Sequence, residues 1–80
     1  MSSDTVMYTV DTQDRYLKLV VLSGSPFSKG CICEVFVQDL SNKNWELLGE
    51  AVISEKVKQG TKFSVSNQEV VLSHIFVQQF

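Results

Sequence analysis

Two stretches that are apolar at most positions constrain the fold of this chain more than any other feature. Residues 17–22 and 70–77 place apolar side chains on both faces that an extended strand would have. A strand that is apolar on both faces has to be covered on both sides. A chain of 80 residues has few elements for that purpose, so we expect either a sheet that curls into a closed small barrel or a sheet with one face against a second chain.

Most of the remaining sequence alternates apolar and polar residues with a period of two, which is typical of short antiparallel strands separated by turns. Together with the two apolar stretches, this pattern predicts six strand segments: residues 5–12, 15–23, 31–40, 45–53, 61–66 and 69–80. The polar or glycine-containing segments between them are predicted turns and loops. The sequence therefore predicts one all-β domain over residues 1–80, a small antiparallel meander of five to six strands that forms a barrel or a sandwich.

The alternation also assigns residues to the faces of each strand. In the third segment, Cys31, Cys33, Val35 and Val37 share one face. In the fourth, the same spacing predicts a shared face for five residues: Trp45, Leu47, Gly49, Ala51 and Ile53.

Residues 54–60 form the one segment in which the sequence favours a helix. Ser54 is a capping residue, Glu55 lies in the first turn, Lys56 and Lys58 follow, and Gly60 ends the segment. This order is typical of a helix of one to two turns. The alternative is an extended, charged edge segment.

Composition argues against two classes of partner. Seven basic and nine acidic residues give a net charge of −2, which provides no long-range attraction for phosphate backbones or anionic lipid. The first four residues lack the basic and apolar regions of a secretion signal, and no apolar run is long enough to cross a bilayer. We therefore expect a cytoplasmic protein that does not bind a membrane. Binding to nucleic acid is disfavoured.

The two cysteines and the single histidine are the one group of residues that could bind a metal or act in catalysis. A zinc site needs at least three suitable ligands, and the Cys31-x-Cys33 spacing departs from the usual Cys-x₂-Cys pattern. Thiol catalysis would need His74 beside a thiol, with a third group to orient the ring. We interpret both cysteines as reduced, buried thiols, and predict no catalytic residues, no metal and no cofactor.

The loop formed by residues 23–30 contains two glycines, the only proline and Lys29. Small residues and a lysine occur in anion-binding loops, but the order of a phosphate-binding loop is absent and a strand follows instead of a helix. A plain connection between strands is the favoured interpretation. Phe27 either folds back onto the core or is offered to a partner.

Aromatic residues on an exposed sheet would suit single-stranded nucleic acid. The candidates are Tyr8, Tyr16, Phe36, Trp45 and Phe63. Six scattered lysines are offset by nine carboxylates, so we favour core positions for these aromatics and keep a nucleic-acid-binding barrel as the alternative function. Glu46 and Glu50 are interpreted as a solvated strand face.

These observations favour a non-enzymatic protein-binding module, a small inhibitor or accessory subunit, that pairs with itself as a homodimer or larger homo-oligomer. The two-sided apolar character of residues 17–22 and 70–77, together with the missing catalytic set, motivates this hypothesis. The predicted partner-binding residues lie in the 23–30 loop, on the strands and at the C-terminus. They are Phe27, Lys29, Tyr16, Trp45, His74, Phe76 and Phe80.

Overall fold

A computed structural model of the chain describes the backbone of residues 5–77 and the side chains of residues 5–75. Within this range, six antiparallel strands form one curled sheet with the shape of a half-barrel. The strands are β1 (Val6–Asp11), β2 (Tyr16–Ser23), β3 (Ile32–Gln38), β4 (Trp45–Val52), β5 (Lys62–Val65) and β6 (Gln68–Val77). The predicted all-β antiparallel fold class is thus confirmed.

The order of strands across the sheet is β4-β3-β2-β1-β6-β5. β6 is the longest strand: its first half pairs with β5 and its second half pairs with β1. Between the two halves the pairing with β1 is irregular, and the Ser73 hydroxyl there donates to the carbonyls of Val10 (2.9 Å) and Asp11 (3.1 Å). This bend brings β5 beside β4, where the two strands make contact without forming a ladder.

The core fills the concave side of the half-barrel. Leu17 and Leu19 of β2 are fully buried there, as are Val35 of β3 and Val65 of β5. Both cysteines are buried on the same side. The inner face of β3 is therefore the one that the alternation of its sequence predicts.

A bulge at Leu48 changes the side of the sheet to which β4 points its residues. Leu47 lies opposite Phe36 and Ala51 lies opposite Cys33, with a shift of register between these pairs. The prediction of one shared face along the fourth segment is therefore wrong. The outer face carries Trp45 and Leu47, and the buried inner face carries Ala51 and Ile53.

The predicted short helix over residues 54–60 is also wrong, because this segment is irregular in the structure. The Val57 amide donates to the Phe27 carbonyl (2.9 Å), which ties the segment to the 23–30 loop. Val57 itself is buried against the core. Starting a helix is costly in a segment this short, and the tertiary contact of Val57 outweighs the capping pattern. No helix among residues 5–77 is long and apolar enough to span a membrane.

Candidate functional site

A cluster of aromatic rings around one lysine lies on the convex, outer face of the sheet. We call Tyr8, Lys18, Phe36 and Trp45 the outer-face cluster. The Lys18 Nζ lies 4.8 Å from the centre of the Phe36 ring and 5.1 Å from that of Trp45. The ring centres of Tyr8 and Trp45 are 5.9 Å apart, with the ring planes inclined at 48°. These distances indicate direct packing of all four side chains.

Strand register brings the cluster together. Lys18 lies directly opposite Tyr8 on one side and Phe36 on the other, and Leu47 lies opposite Phe36. Side chains opposite each other on adjacent strands are close enough to contact. Trp45 reaches the same face because the Leu48 bulge shifts the first half of β4 relative to the second.

The cluster leaves a surface that is mostly apolar. A lysine ammonium over an aromatic ring is attracted by about 0.5–1 kcal/mol at an exposed site, so Lys18 is held against Phe36 and Trp45. Tyr16, Leu47 and Val52 lie on the same outer face and are exposed by 48%, 57% and 63%. Several large apolar groups are therefore open to solvent beside an ordered group of rings.

Two carboxylates adjoin this apolar surface. Glu34 and Glu50 lie directly opposite each other on β3 and β4, on the outer side of the sheet. Like charges in this arrangement are destabilising. Both acids also lower the attraction of this face for a polyanion.

The structure places three of the predicted partner-binding residues on this one face. Tyr16 and His74 each lie opposite Val10, and both are exposed. Trp45 belongs to the outer-face cluster itself. These three positions come from β2, β6 and β4, and all lie on the convex side of the sheet.

The other predicted partner-binding residues lie elsewhere. Phe27 is half-buried and packs against the core. Of the two alternatives for this residue, it therefore folds back onto the core. Lys29 is exposed in the loop between β2 and β3. The Phe76 backbone pairs with Tyr8, but the Phe76 side chain and all of Phe80 lie outside the described residues.

Sequence reasoning did not assign Lys18 and Leu47 to the site. Lys18 is the one charged residue in the otherwise apolar segment 17–22. Such a position indicates a lysine whose side chain packs against neighbouring apolar or aromatic groups. Alternation places Leu47 on the face of Trp45, which is correct, but it also adds Ala51 and Ile53, which the bulge at Leu48 puts on the inner face. Of the five aromatics for which core positions are expected, Phe63 is buried in the core. The expectation is wrong for Tyr8, Tyr16, Phe36 and Trp45, which lie on the outer face.

The structure does not bring the thiols and the histidine together. Cys31 and Cys33 are buried on the inner side of the sheet, whereas His74 is exposed on its outer side. Among the residues whose side chains are described, no three histidine, cysteine or acidic side chains are arranged to hold a metal ion.

Burial raises the pKa of the Cys33 thiol from its ordinary value of 9.0 to about 12, with a smaller contribution from neighbouring Cys31. Because the thiolate is the nucleophile, we expect iodoacetamide at neutral pH to leave Cys33 unmodified in the folded protein and to label it after unfolding. Mass spectrometry of the labelled peptides measures this difference. Rapid labelling of the native protein would contradict the burial of the thiol.

The same pKa shift predicts a loss of stability at alkaline pH. Between pH 9.0 and about 12 the folded state keeps a proton that the unfolded chain has released. The free energy of unfolding should therefore fall as pH rises through this window, with a slope of up to about 1.4 kcal/mol per pH unit from this group. Urea unfolding of wild-type and Cys33→Ala protein at several pH values isolates this contribution, since the variant lacks it.

Comparisons of the chain with protein-family models, with curated proteins and with solved structures give no match. The class of protein is therefore defined by its own fold and surface. It is a small all-β half-barrel with an aromatic cluster on its convex face.

Proposed function

We propose that the protein is a non-enzymatic protein-binding module that pairs with a second copy of itself through the outer face of β1–β4. A module of this kind serves as a small inhibitor or accessory subunit. The observation that carries the proposal is the outer-face cluster, together with the exposed Leu47 beside it. Within residues 5–77 the sheet has no second layer over this face.

The energetics favour a protein partner for such a surface. Burying a leucine side chain fully is worth about 1.5–3 kcal/mol relative to leaving it exposed, and Leu47 is 57% exposed in the single chain. Tryptophan and tyrosine are the side chains most often found at the energetic centre of protein interfaces. Trp45 and Tyr16 stand on this face already ordered by the sheet, so little conformational entropy is lost when they are covered.

A second copy is the partner of choice because the chain is short. A domain of this size buries only about two-thirds of the surface that its unfolded form exposes, and such domains gain stability from association. A two-fold pairing places the same patch on both sides of the interface. Such a dimer covers the outer side of β2, so that residues 17–22 are buried on both faces.

The test is the oligomeric state of matched variants. We expect wild-type protein to sediment as a dimer at high micromolar concentration. Leu47→Asp should weaken the dimer at least a hundredfold, because each copy loses an apolar contact and has to bury a carboxylate. Sedimentation velocity over a range of concentrations gives the dissociation constants.

Leu40→Asp is the matched control. Leu40 lies in the turn between β3 and β4 and is 67% exposed, so the variant makes the same chemical change away from the outer-face cluster. Its dissociation constant should remain that of the wild type. A wild-type chain that stays monomeric at high concentration, or an equal effect of both substitutions, would refute the proposed interface.

Single-stranded nucleic acid is the alternative partner, because aromatic rings beside a lysine can stack with bases. Trp45 is the only tryptophan and reports directly on this face. We expect no change in its fluorescence when oligodeoxythymidine is added at low ionic strength. Quenching that disappears as salt is raised would favour the alternative over the protein-binding proposal.

A further inference from the structure

The half-barrel is open along a groove between its two edge strands. β4 and β5 lie beside each other, and just beyond the end of β5 the Ser66 hydroxyl donates to the Leu48 carbonyl (2.6 Å). Next to this contact lies an open groove of about 450 Å³, whose lining includes Glu50 and Val52 of β4 and Lys62 and Ser64 of β5. The groove lies at the sheet edge, apart from the outer-face cluster.

The β4 side of the groove carries backbone groups that are not used within the sheet. The Ile53 amide donates to the Cys31 carbonyl and the Ile53 carbonyl accepts from the Gly30 amide, both at 2.8 Å, so the backbone of Ile53 points toward β3. Backbone groups of successive residues in a strand point to opposite sides. Those of Glu50 and Val52 therefore point into the groove.

The β5 side is arranged in the same way. The Thr61 carbonyl accepts from the Leu72 amide (3.0 Å) and thus faces β6. By the same alternation, the backbone groups of Lys62 and Ser64 point into the groove. Two rows of peptide donors and acceptors consequently face each other across a space that neither strand fills.

The chemistry that matches these rows is another extended polypeptide backbone. Addition of a strand to an open sheet edge satisfies such groups directly. Proteins protect exposed edges with short strands and lysines. β5 is short and carries Lys62, whereas β4 is twice as long and exposes Val52 beside the groove. The β4 edge is therefore the one that is open to pairing.

Charge around the groove selects the side chains of the incoming segment. Glu50 and Glu69 line it together with the single cation Lys62, and Glu34 lies opposite Glu50. Outward-pointing positions of an added strand thus meet a net negative surface. Its inward-pointing positions meet Phe63, which is almost fully buried at the base of the groove.

The same charges disfavour a second copy of β4 as the occupant. Antiparallel pairing of two β4 edges through the groove-facing positions would bring Glu50 of one copy near Glu50 of the other. Like charges opposite each other across strands are destabilising. The groove therefore favours a basic segment over a second copy of β4.

We propose that the groove between β4 and β5 binds an extended polypeptide segment of alternating basic and apolar residues, which adds as a strand to β4. The part of the segment that pairs with the Glu50–Val52 edge is about three residues long, at roughly 3.3 Å per residue. Its basic side chains lie between Glu50 and Glu69, and its apolar side chains face Phe63.

Hydrogen exchange followed by NMR tests the edge itself. In the free protein the amides of Glu50 and Val52 should exchange rapidly, while those of Ala51 and Ile53 on the β3 side exchange slowly. Addition of a blocked hexapeptide of alternating lysine and valine should slow the Glu50 and Val52 amides at least tenfold. Unchanged exchange at saturating peptide would overturn the proposal.

Modified peptides separate strand addition from simple charge attraction. Two versions of the hexapeptide carry backbone N-methyl groups, one on its lysines and one on its valines. A strand that pairs with β4 loses at least tenfold in affinity in one version, because one set of amides faces the protein. Equal affinity of all three peptides would overturn the proposal, as would equal binding of a glutamate–valine hexapeptide.

Variants of the protein complete the test. Val52→Pro removes the one amide that points into the groove at this position, and proline is tolerated at a strand edge on its solvent side. We expect at least a tenfold loss of peptide affinity. Val52→Ala, which keeps the amide, is the matched control. Should Val52→Pro fail to fold, Glu50→Gln combined with Glu69→Gln tests the charge, with an expected loss of at least threefold. Wild-type peptide affinity in whichever of these variants folds contradicts the proposal.

The proposed dimer and the proposed peptide site can be tested separately. Leu47→Asp should abolish dimerisation and leave peptide affinity unchanged, since Leu47 does not line the groove. Glu69→Gln, at a groove-lining position on β6 and outside the outer face of β1–β4, should weaken peptide binding and leave dimerisation unchanged. Loss of peptide binding in Leu47→Asp would place the peptide on the outer face and refute the groove as its site.

Discussion

Replacement of Asp11 by alanine should lower the free energy of unfolding by about 2–4 kcal/mol, because it removes a buried carboxylate that accepts hydrogen bonds from two backbone amides and one guanidinium. The Asp11 carboxylate is 1% exposed and ends β1. One of its oxygens accepts from the Gln13 and Arg15 amides (3.0 and 2.9 Å), and the other accepts from the Arg15 guanidinium at 2.8 Å. Alanine would leave all of these donors without their acceptor.

Urea unfolding, monitored by circular dichroism, measures this effect. Asp14→Asn is the control, because it also removes one negative charge from the same turn but at an exposed position; we expect a change within about 0.5 kcal/mol. Asp11→Asn should fall between the two, since its amide oxygen still accepts from the backbone amides but no longer carries a charge. A loss below 1 kcal/mol in Asp11→Ala would show that the turn does not depend on this carboxylate.

Asp11 also shows where sequence reasoning about the strands reaches its limit. Alternation correctly separates the faces of β1, but the buried face carries Met7, Thr9 and Asp11, and the more apolar Val6 and Tyr8 are half-exposed. Burial of Asp11 depends on Arg15, which lies in the following turn. The hydrophobicity of single residues gives no information about the pairing of Asp11 with Arg15. The buried side of β1 could therefore not be assigned from hydrophobicity alone.

The outer-face cluster was predictable only in part. Trp45 and Tyr16 were expected to bind a partner, and both lie on one outer surface. Their convergence with Lys18 depends on strand register and on the bulge at Leu48, which are set by pairing between distant segments. Local patterns predicted the strands well. They failed at residues 54–60, because the contact of Val57 with the distant Phe27 cannot be inferred from a local pattern.

Gly49 controls how closely β4 approaches β5, so its replacement by alanine should destabilise the protein by about 2–4 kcal/mol. A Cβ atom at this position would overlap the Ser66 hydroxyl and lie 3.1 Å from a methyl group of Val65. Overpacking of this kind typically costs 1–3 kcal/mol. Displacement of Ser66 also costs its hydrogen bond to the Leu48 carbonyl, worth about 1 kcal/mol. Chemical unfolding of Gly49→Ala measures the sum.

A double-mutant cycle with Ser66→Ala tests whether this contact is the cause. Ser66→Ala removes both the overlapping hydroxyl and its hydrogen bond, so the two substitutions together should cost at least 1 kcal/mol less than the sum of the single effects. Strict additivity would assign the loss to the Val65 contact and to the backbone conformation of Gly49, with φ of 153°. Coupling of the two sites would instead establish the Leu48–Ser66 contact as the closure that joins the edges of the half-barrel, beyond which the groove opens.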